Sequence, residues 1–202
     1  MTCGVRKLTV VDGGCVAIPD VVKQSLYIGN DCGVPRATAI VPHLKERCPA
    51  VEVEGIQMEI PVPRNPVSPT KMSSVLDNCK RFQALVASSD VVFLLTDTWE
   101  SRWFPTLLCA NENEIAITSA SGYDSYLVMR HGAGPGHNLS TEDALGHQRL
   151  GSCFYNNSSS FVNVYYVLQL VLNEIVAMPG LTSIASGKAV ELFARILHHE
   201  EG

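Results

Sequence analysis

Asp90-Val91-Val92-Phe93-Leu94-Leu95-Thr96-Asp97, residues 90 to 97, carries the strongest structural signal in this chain. Five consecutive apolar residues are bounded by an acid on each side. This pattern is typical of a short parallel strand that is buried on both faces. We therefore predict a buried strand over residues 91–95, with polar groups at its carboxyl end.

Outward from this strand, helical and extended patterns alternate. Apolar residues at helical spacing predict helices over 35–44, 72–86, 103–110 and 184–196, and β-rich runs predict strands over 7–11, 51–60, 114–119 and 125–129. The prolines of residues 60–66 predict a loop or an edge there. Such alternation predicts an α/β fold with a doubly wound, mostly parallel, Rossmann-like sheet.

Composition narrows the class of protein. At 202 residues and 46% hydrophobic, the chain is long enough for one domain with a substantial core. Its net charge of −5 argues against a nucleic-acid partner, since clustered Lys and Arg supply that affinity. No signal peptide is recognisable, so cytoplasm is the expected location. The apolar run 161–178 contains interrupting polar residues, which makes a membrane helix the less favoured interpretation.

Motifs for several other chemistries are missing from the sequence. The seven cysteines are scattered without a C-x-x-C pair, which favours reduced thiols, several of them buried in apolar stretches, over zinc ligands or disulfides. There is no G-x-G-x-x-G, Walker or G-x-S-x-G motif. His198 and His199 could attract a metal ion, but adjacent histidines on a helix diverge, so a solvated tail is favoured.

Three residues at predicted strand ends are candidates for ligand binding. Asp12 follows the first strand and could accept hydrogen bonds from ribose hydroxyls, or it could simply begin an Asp-Gly turn. Asp97 could bind a metal ion or cap a helix. Arg102 could contact phosphate or form a surface ion pair. Lys23 and Arg36 are further possible phosphate partners.

The order and spacing of several short segments resemble the family of ubiquitin-like-modifier-activating enzymes, in particular its autophagy-related branch, which has a ThiF/MoeB-like adenylation domain. The segments are Gly4–Asp12, Gln24–Tyr27, Asp31–Gly33, Ile60–Pro63, Asp90–Leu95, Glu100–Trp103, Gly122–Gly132, Pro179–Gly180 and Ala189–Leu192. The resemblance covers residues 4–132 well, with a divergent loop and insert over 133–178 and a terminal helix over 179–202.

This resemblance implies ATP-dependent adenylation of a modifier's C-terminal glycine, followed by thioester transfer to a conjugating enzyme. It implies that Asp12 holds the ribose, that Gln24 lies near the nucleotide, and that Asp97 binds Mg²⁺ beside the phosphates. Lys23 takes the position of the family's nucleotide-contacting arginine, and Arg36 takes the position of its triphosphate-contacting lysine. The resemblance also implies that Arg102 belongs to the nucleotide-binding site. Autophagy modifiers, conjugating enzymes and a second copy of the chain are the implied partners, in the cytoplasm and at the preautophagosomal structure.

The sequence also departs from the family pattern. The resemblance begins beyond the family's first strand and glycine-rich loop, so we expect a partial adenylation domain over 1–202 that lacks both. Asp20 stands in place of an asparagine. The catalytic cysteine falls near Glu174, and Ser152 and Tyr155 replace two zinc ligands, so we expect neither a catalytic cysteine nor a zinc site. A non-catalytic binding or dimerisation module is the alternative function, and a nucleotide-binding oxidoreductase is a third, less favoured one.

Overall fold

The computed structural model describes residues 5–63, 66–131 and 180–198. The chain divides into two compact units: the N-terminal unit comprises Met1–Pro61 and Val67–Phe82, and the C-terminal unit comprises Val62–Pro66 and Gln83–Gly202. Each unit is built around its own parallel strand pair.

The N-terminal unit is a strand-helix-strand arrangement. Its elements in chain order are β1 (Lys7–Asp12), α1 (Ile18–Lys23), α2 (Arg36–Arg47) and β2 (Glu52–Gln57), and α3 (Met72–Ala87) begins in it. β1 and β2 are parallel, with Lys7 opposite Glu52 and Asp12 opposite Gln57. Both strands therefore end at the same edge of the sheet, where ligands bind in open α/β sheets.

Helix α2 packs directly on the β1–β2 pair. Buried Leu44 of α2 meets Val51 and Val53, with Leu8 and Val10 of β1 packed around them. Gly55 of β2 lies so close to α2 that an added Cβ would be 2.6 Å from the carbonyl carbon of Ala37 and 2.9 Å from Val41 Cγ2. A side chain there has no space, so glycine sets the distance between helix and strand.

In its described part, the C-terminal unit contains three strands and two further helices. They are β3 (Val91–Leu94), α4 (Trp99–Glu112), β4 (Ile115–Ser121), β5 (Tyr126–His131) and α5 (Leu181–His198). β3 and β4 are parallel, whereas β4 and β5 form an antiparallel hairpin whose turn is closed by Gly122 N donating to Ser125 O at 2.7 Å. The predicted mostly parallel α/β arrangement is confirmed.

Helices lie on both faces of this three-stranded sheet. On one face, Ala189 and Ile196 of α5 pack against Ile117 and Val128, which are almost fully buried. Phe93 and Phe193 make an edge-to-face contact there, with ring centroids 5.7 Å apart. Thr118 follows Ile117 and so belongs to the opposite face, together with His131, whose pKa is lowered by burial and by the charge of Arg102 of α4.

Two details of the β3 region differ from the prediction. Phe93 remains 37% exposed and Leu95 66% exposed, so β3 is not buried on both faces as its apolar run predicts. Helix α4 begins at Trp99 rather than at 103, because Thr98 caps it: the Thr98 hydroxyl accepts a hydrogen bond from Ser101 N at 3.3 Å.

Across the ranges 5–63, 66–131 and 180–198, no helix combines the length and the apolar character needed to span a bilayer. The run 161–178 lies outside the described residues, as do the predicted linker and insert of 133–178. The predicted lack of a first strand and glycine-rich loop, and the assignment of 1–202 to one partial domain, stay predictions.

Candidate nucleotide-binding and metal-binding sites

Asp12 lies at the carboxyl end of β1, where the chain turns through Gly13 and Gly14. Its Oδ1 accepts a hydrogen bond from Gly14 N at 2.7 Å and another from Arg36 Nε at 3.2 Å. The first contact is the local turn that an Asp-Gly sequence predicts. The second brings together two residues that are 24 positions apart, both of which the sequence analysis singles out.

Arg36 lies between two carboxylates. It is the first residue of α2, and its Nη1 is 3.7 Å from Asp20 Oδ2 while its Nε bonds Asp12. Asp20 Oδ2 also accepts a hydrogen bond from Ala17 N at 2.9 Å at the start of α1. We call Asp12, Asp20 and Arg36 the β1-end cluster. It holds two negative charges and one positive charge, so its net charge is −1.

Gly14 makes room for the arginine in this cluster. A Cβ at position 14 would be 2.9 Å from Arg36 Cζ and 3.0 Å from its Nε, closer than ordinary van der Waals contact. The Gly14 carbonyl also accepts a hydrogen bond from Arg36 N at 2.9 Å. The guanidinium therefore lies against bare backbone, which fixes its distance to Asp12.

Tyr27 is a neighbour of the β1-end cluster that the sequence analysis does not assign to the site. Its ring is buried, and its Oη donates to Arg36 O at 3.2 Å. Burial raises the pKa of Tyr27, the Asp12 charge acts in the same direction, and the Arg36 charge opposes both. The phenol is thus a neutral donor that anchors the first turn of α2.

Lys23 and Gln24 lie at the end of α1, the helix that carries Asp20. Lys23 is its last residue, and the exposed Gln24 is its C-cap, with Gln24 N donating to Asp20 O at 2.8 Å. The side chain of Lys23 lies outside the described part of the structure. The predicted position of both residues near a nucleotide stays a prediction.

Asp97 lies in the short loop between β3 and α4, and it is exposed. Since Thr98 is the N-cap of α4, the alternative that Asp97 caps a helix is wrong. An exposed carboxylate after a parallel strand is in a suitable place to bind a metal ion. Within the described ranges, no group of three or more His, Cys, Asp or Glu residues could hold a metal ion.

Arg102 is only 8% exposed, so the alternative of a surface ion pair is wrong. Its Nε and Nη2 both donate to the carbonyl oxygen of Thr96, at 2.9 and 2.5 Å. Burial lowers the pKa of Arg102 while the charge of Asp97 raises it, but a guanidinium stays protonated in either case.

Thr118 and His131 form a polar contact that the sequence does not predict. Thr118 is fully buried, and a 2.7 Å hydrogen bond joins its Oγ1 and His131 Nε2. Burial lowers the pKa of His131, and the positive charge of Arg102 lowers it further. The pairing of β4 with β5 is what places these residues together. The alternation of β4 is the signal that could have shown Thr118 facing away from Ile117.

The other predicted positions of the site lie outside the described residues. They are Glu174, where the catalytic cysteine is expected, and Ser152 and Tyr155, where the family has zinc ligands. The side chain of His198 and the whole of His199 also lie outside them.

Comparison with known proteins identifies relatives over the whole chain. It is 37% identical over 211 residues to the ubiquitin-like modifier-activating enzyme ATG7 of Cryptococcus neoformans var. neoformans serotype D. It is 35% identical over 230 residues to the enzyme of that name from Homo sapiens. Both matches cover 100% of this chain, which spans 31% and 32% of the length of those two relatives.

Solved structures and family models agree on the fold. The E. coli MccB structure with ATP matches 96% of this chain and 49% of its own, with a TM-score of 0.60 and 12% sequence identity. At that identity the likeness concerns the fold, and it confirms the predicted Rossmann-like adenylation fold. The ThiF family model matches residues 1–202. The chain therefore belongs to the ThiF family.

Proposed function

We propose that this protein takes part in ATP-dependent adenylation of the C-terminal glycine of a ubiquitin-like modifier in autophagy. The observation that carries the proposal is the β1-end cluster in a ThiF-family chain: an acid at the end of a parallel strand with a guanidinium beside it. The acid suits ribose hydroxyls, and the guanidinium suits phosphate oxygens.

Nucleotide binding would rearrange the contacts of the β1-end cluster. Arg36 Nε already donates a hydrogen bond to Asp12 Oδ1 at 3.2 Å, so ribose hydroxyls compete with the arginine for this carboxylate. Triphosphate offers the arginine a stronger bidentate partner than a single carboxylate oxygen. We therefore expect Arg36 to leave Asp12 for phosphate, with Lys23 and Gln24 close to the nucleotide.

The carboxylate of Asp97, in the loop after β3, is a suitable ligand for Mg²⁺. Mg²⁺ is usually held by one or two carboxylates together with substrate phosphates and water. Asp97 supplies one exposed carboxylate after β3. A bound Mg²⁺ would neutralise developing charge on the phosphates. The role of Asp97 is to hold the cation at the end of β3.

The later steps and the setting rest on the resemblance to relatives. Thioester transfer needs a cysteine, and the corresponding position is Glu174, which cannot form a thioester. The proposal for this chain is therefore the adenylation step, without a catalytic cysteine or a zinc site. Autophagy modifiers, their conjugating enzymes and a second copy are the proposed partners, in the cytoplasm and at the preautophagosomal structure.

ATP–pyrophosphate exchange is the experiment that tests this function. The purified protein should exchange labelled pyrophosphate into ATP when a modifier with a free C-terminal glycine is present. Removing that glycine from the modifier should stop the exchange. Nucleotide binding without exchange would support the non-catalytic module instead, and the absence of both would contradict the proposal.

Asp20→Asn should tighten ATP binding roughly threefold. The asparagine keeps an oxygen that can accept from Ala17 N, but it removes one negative charge from the β1-end cluster. The gain is small because charge interactions near a surface are worth less than about 1 kcal/mol. Calorimetric ATP titrations at low and high salt measure it, and salt should reduce the difference.

Glu46→Gln is the matched control for this prediction. Glu46 is exposed, ten residues further along α2 and so roughly 15 Å from Arg36. Glu46→Gln removes the same charge at a distance from the β1-end cluster. Equal effects of the two variants would mean that overall charge, and not Asp20 itself, limits ATP binding.

A further inference from the structure

We propose that Arg102 is a positioning residue: it holds the β3–α4 loop, and through that loop Asp97, instead of contacting phosphate. The proposal rests on the function proposed above, because it takes Asp97 as the Mg²⁺-binding residue. It assigns Arg102 a different role from the direct contact that the sequence resemblance implies.

Two of the five N–H donors of Arg102 are used on one backbone oxygen. Nε and Nη2 of Arg102 both donate to Thr96 O, and Thr96 immediately precedes Asp97. Since the carbonyl of Thr96 belongs to the peptide that joins it to Asp97, fixing this oxygen restricts the rotation of that peptide. Arg102 is the fourth residue of α4, so its two bonds hold the loop to the helix in addition to the Thr98 cap.

The burial of Arg102 supports the same role. At 8% exposure, Arg102 has little access to a ligand in solvent. Together with burial, the charge of Arg102 lowers the pKa of His131 of β5, and the charge of Asp97 opposes the lowering of the pKa of Arg102 by burial, so the guanidinium interacts electrostatically with both side chains. Arg102 therefore interacts with Asp97 both through its charge and through the Thr96 carbonyl.

The loop has a polar atom that the rest of the described structure leaves without a partner. Thr96 Oγ1 is buried and has no hydrogen-bond partner among the described residues. Burying such a group costs free energy. The loop therefore needs compensating contacts to keep this conformation, and the two bonds from Arg102 supply them.

Arg102→Lys tests the proposal because an ammonium keeps the charge but loses the planar fork. We expect the Mg²⁺ concentration for half-maximal ATP–pyrophosphate exchange to rise about 10-fold, the size usual for groups that orient metal ligands. ATP binding measured in EDTA should change less than about twofold. Arg195→Lys, an exposed arginine on α5, is the control and should change neither quantity.

A double-mutant comparison separates positioning from general damage. If Arg102 acts through Asp97, Arg102→Lys should have little further effect on the Mg²⁺ requirement once Asp97→Asn is present. Additive effects would overturn the proposal. So would a parallel loss of ATP binding in EDTA, because that loss is expected of a direct phosphate contact.

Amide hydrogen exchange in nucleotide-free protein tests the loop contact without catalysis. Residues 95–99 should exchange about 10-fold faster in Arg102→Lys than in Arg195→Lys, because loss of the two bonds allows local opening. Unchanged exchange there overturns the inference even if the enzyme is active. Absence of ATP–pyrophosphate exchange in the unmodified protein would instead overturn the proposed function, whatever the loop does.

Discussion

Gly55→Ala should lower the free energy of unfolding of the N-terminal unit by about 3 kcal/mol, the upper part of the range for overpacked interiors. The new methyl would be 2.6 Å from the carbonyl carbon of Ala37 and 2.9 Å from Val41 Cγ2. Backbone cannot rotate away as a flexible side chain can, so α2 has to move off β2. That movement opens the packing around Leu44, Val51 and Val53.

Urea denaturation followed by far-ultraviolet circular dichroism measures this loss. Gly187→Ala is the control, because a Cβ at Gly187 meets no atom within 4 Å and the residue lies inside α5. Alanine there should stabilise the helix by roughly 1 kcal/mol. The two variants make the same chemical change with opposite expected signs, so a small shift of the midpoint for Gly55→Ala would contradict the packing argument.

Asp97→Asn should reduce ATP–pyrophosphate exchange on the order of 100-fold. A bound cation contributes several kcal/mol of charge stabilisation, and an amide oxygen is a weaker ligand for Mg²⁺ than a carboxylate. The loss should be smaller at high Mg²⁺, because mass action partly restores binding. Initial rates over a range of Mg²⁺ concentrations check both statements.

Asp90→Asn is the matched control for Asp97→Asn. Asp90 is an exposed acid at the other end of the same strand, so Asp90→Asn changes the net charge of the protein as much as Asp97→Asn does. Exchange by this variant should stay within about twofold of the unmodified protein, since exposed charges are worth less than about 1 kcal/mol. Equal losses in both variants would remove Asp97 from the proposed metal site.

Much of the fold follows from local sequence patterns. The apolar run of residues 91–95 and the β-rich run of 7–11 predict strands that the structure contains, because a strand's period is visible within a few residues. Apolar spacing alone predicts a start for α4 at 103, whereas the capping spacing of Thr98 and Ser101 encodes the observed start at Trp99.

The contacts of the candidate sites are harder to predict. The bond between Asp12 and Arg36 joins residues 24 positions apart, and no local pattern encodes it. The burial of Arg102 depends on the sheet beneath α4, and the pairing of Thr118 with His131 depends on the register of β4 with β5. A single sequence indicates that such residues are polar and near strand ends, but not which neighbours they meet.

The parallel pairing of β1 with β2 also affects how the chain is synthesised. Lys7 pairs with Glu52, so β1 leaves the ribosome about 45 residues before its partner. At roughly 5–20 residues per second, this strand waits about 2 to 9 seconds for β2. The β4–β5 hairpin, by contrast, closes over a short turn within microseconds of emerging. Nascent β1 is therefore the segment for which a chaperone on the ribosome would matter most among the described strands.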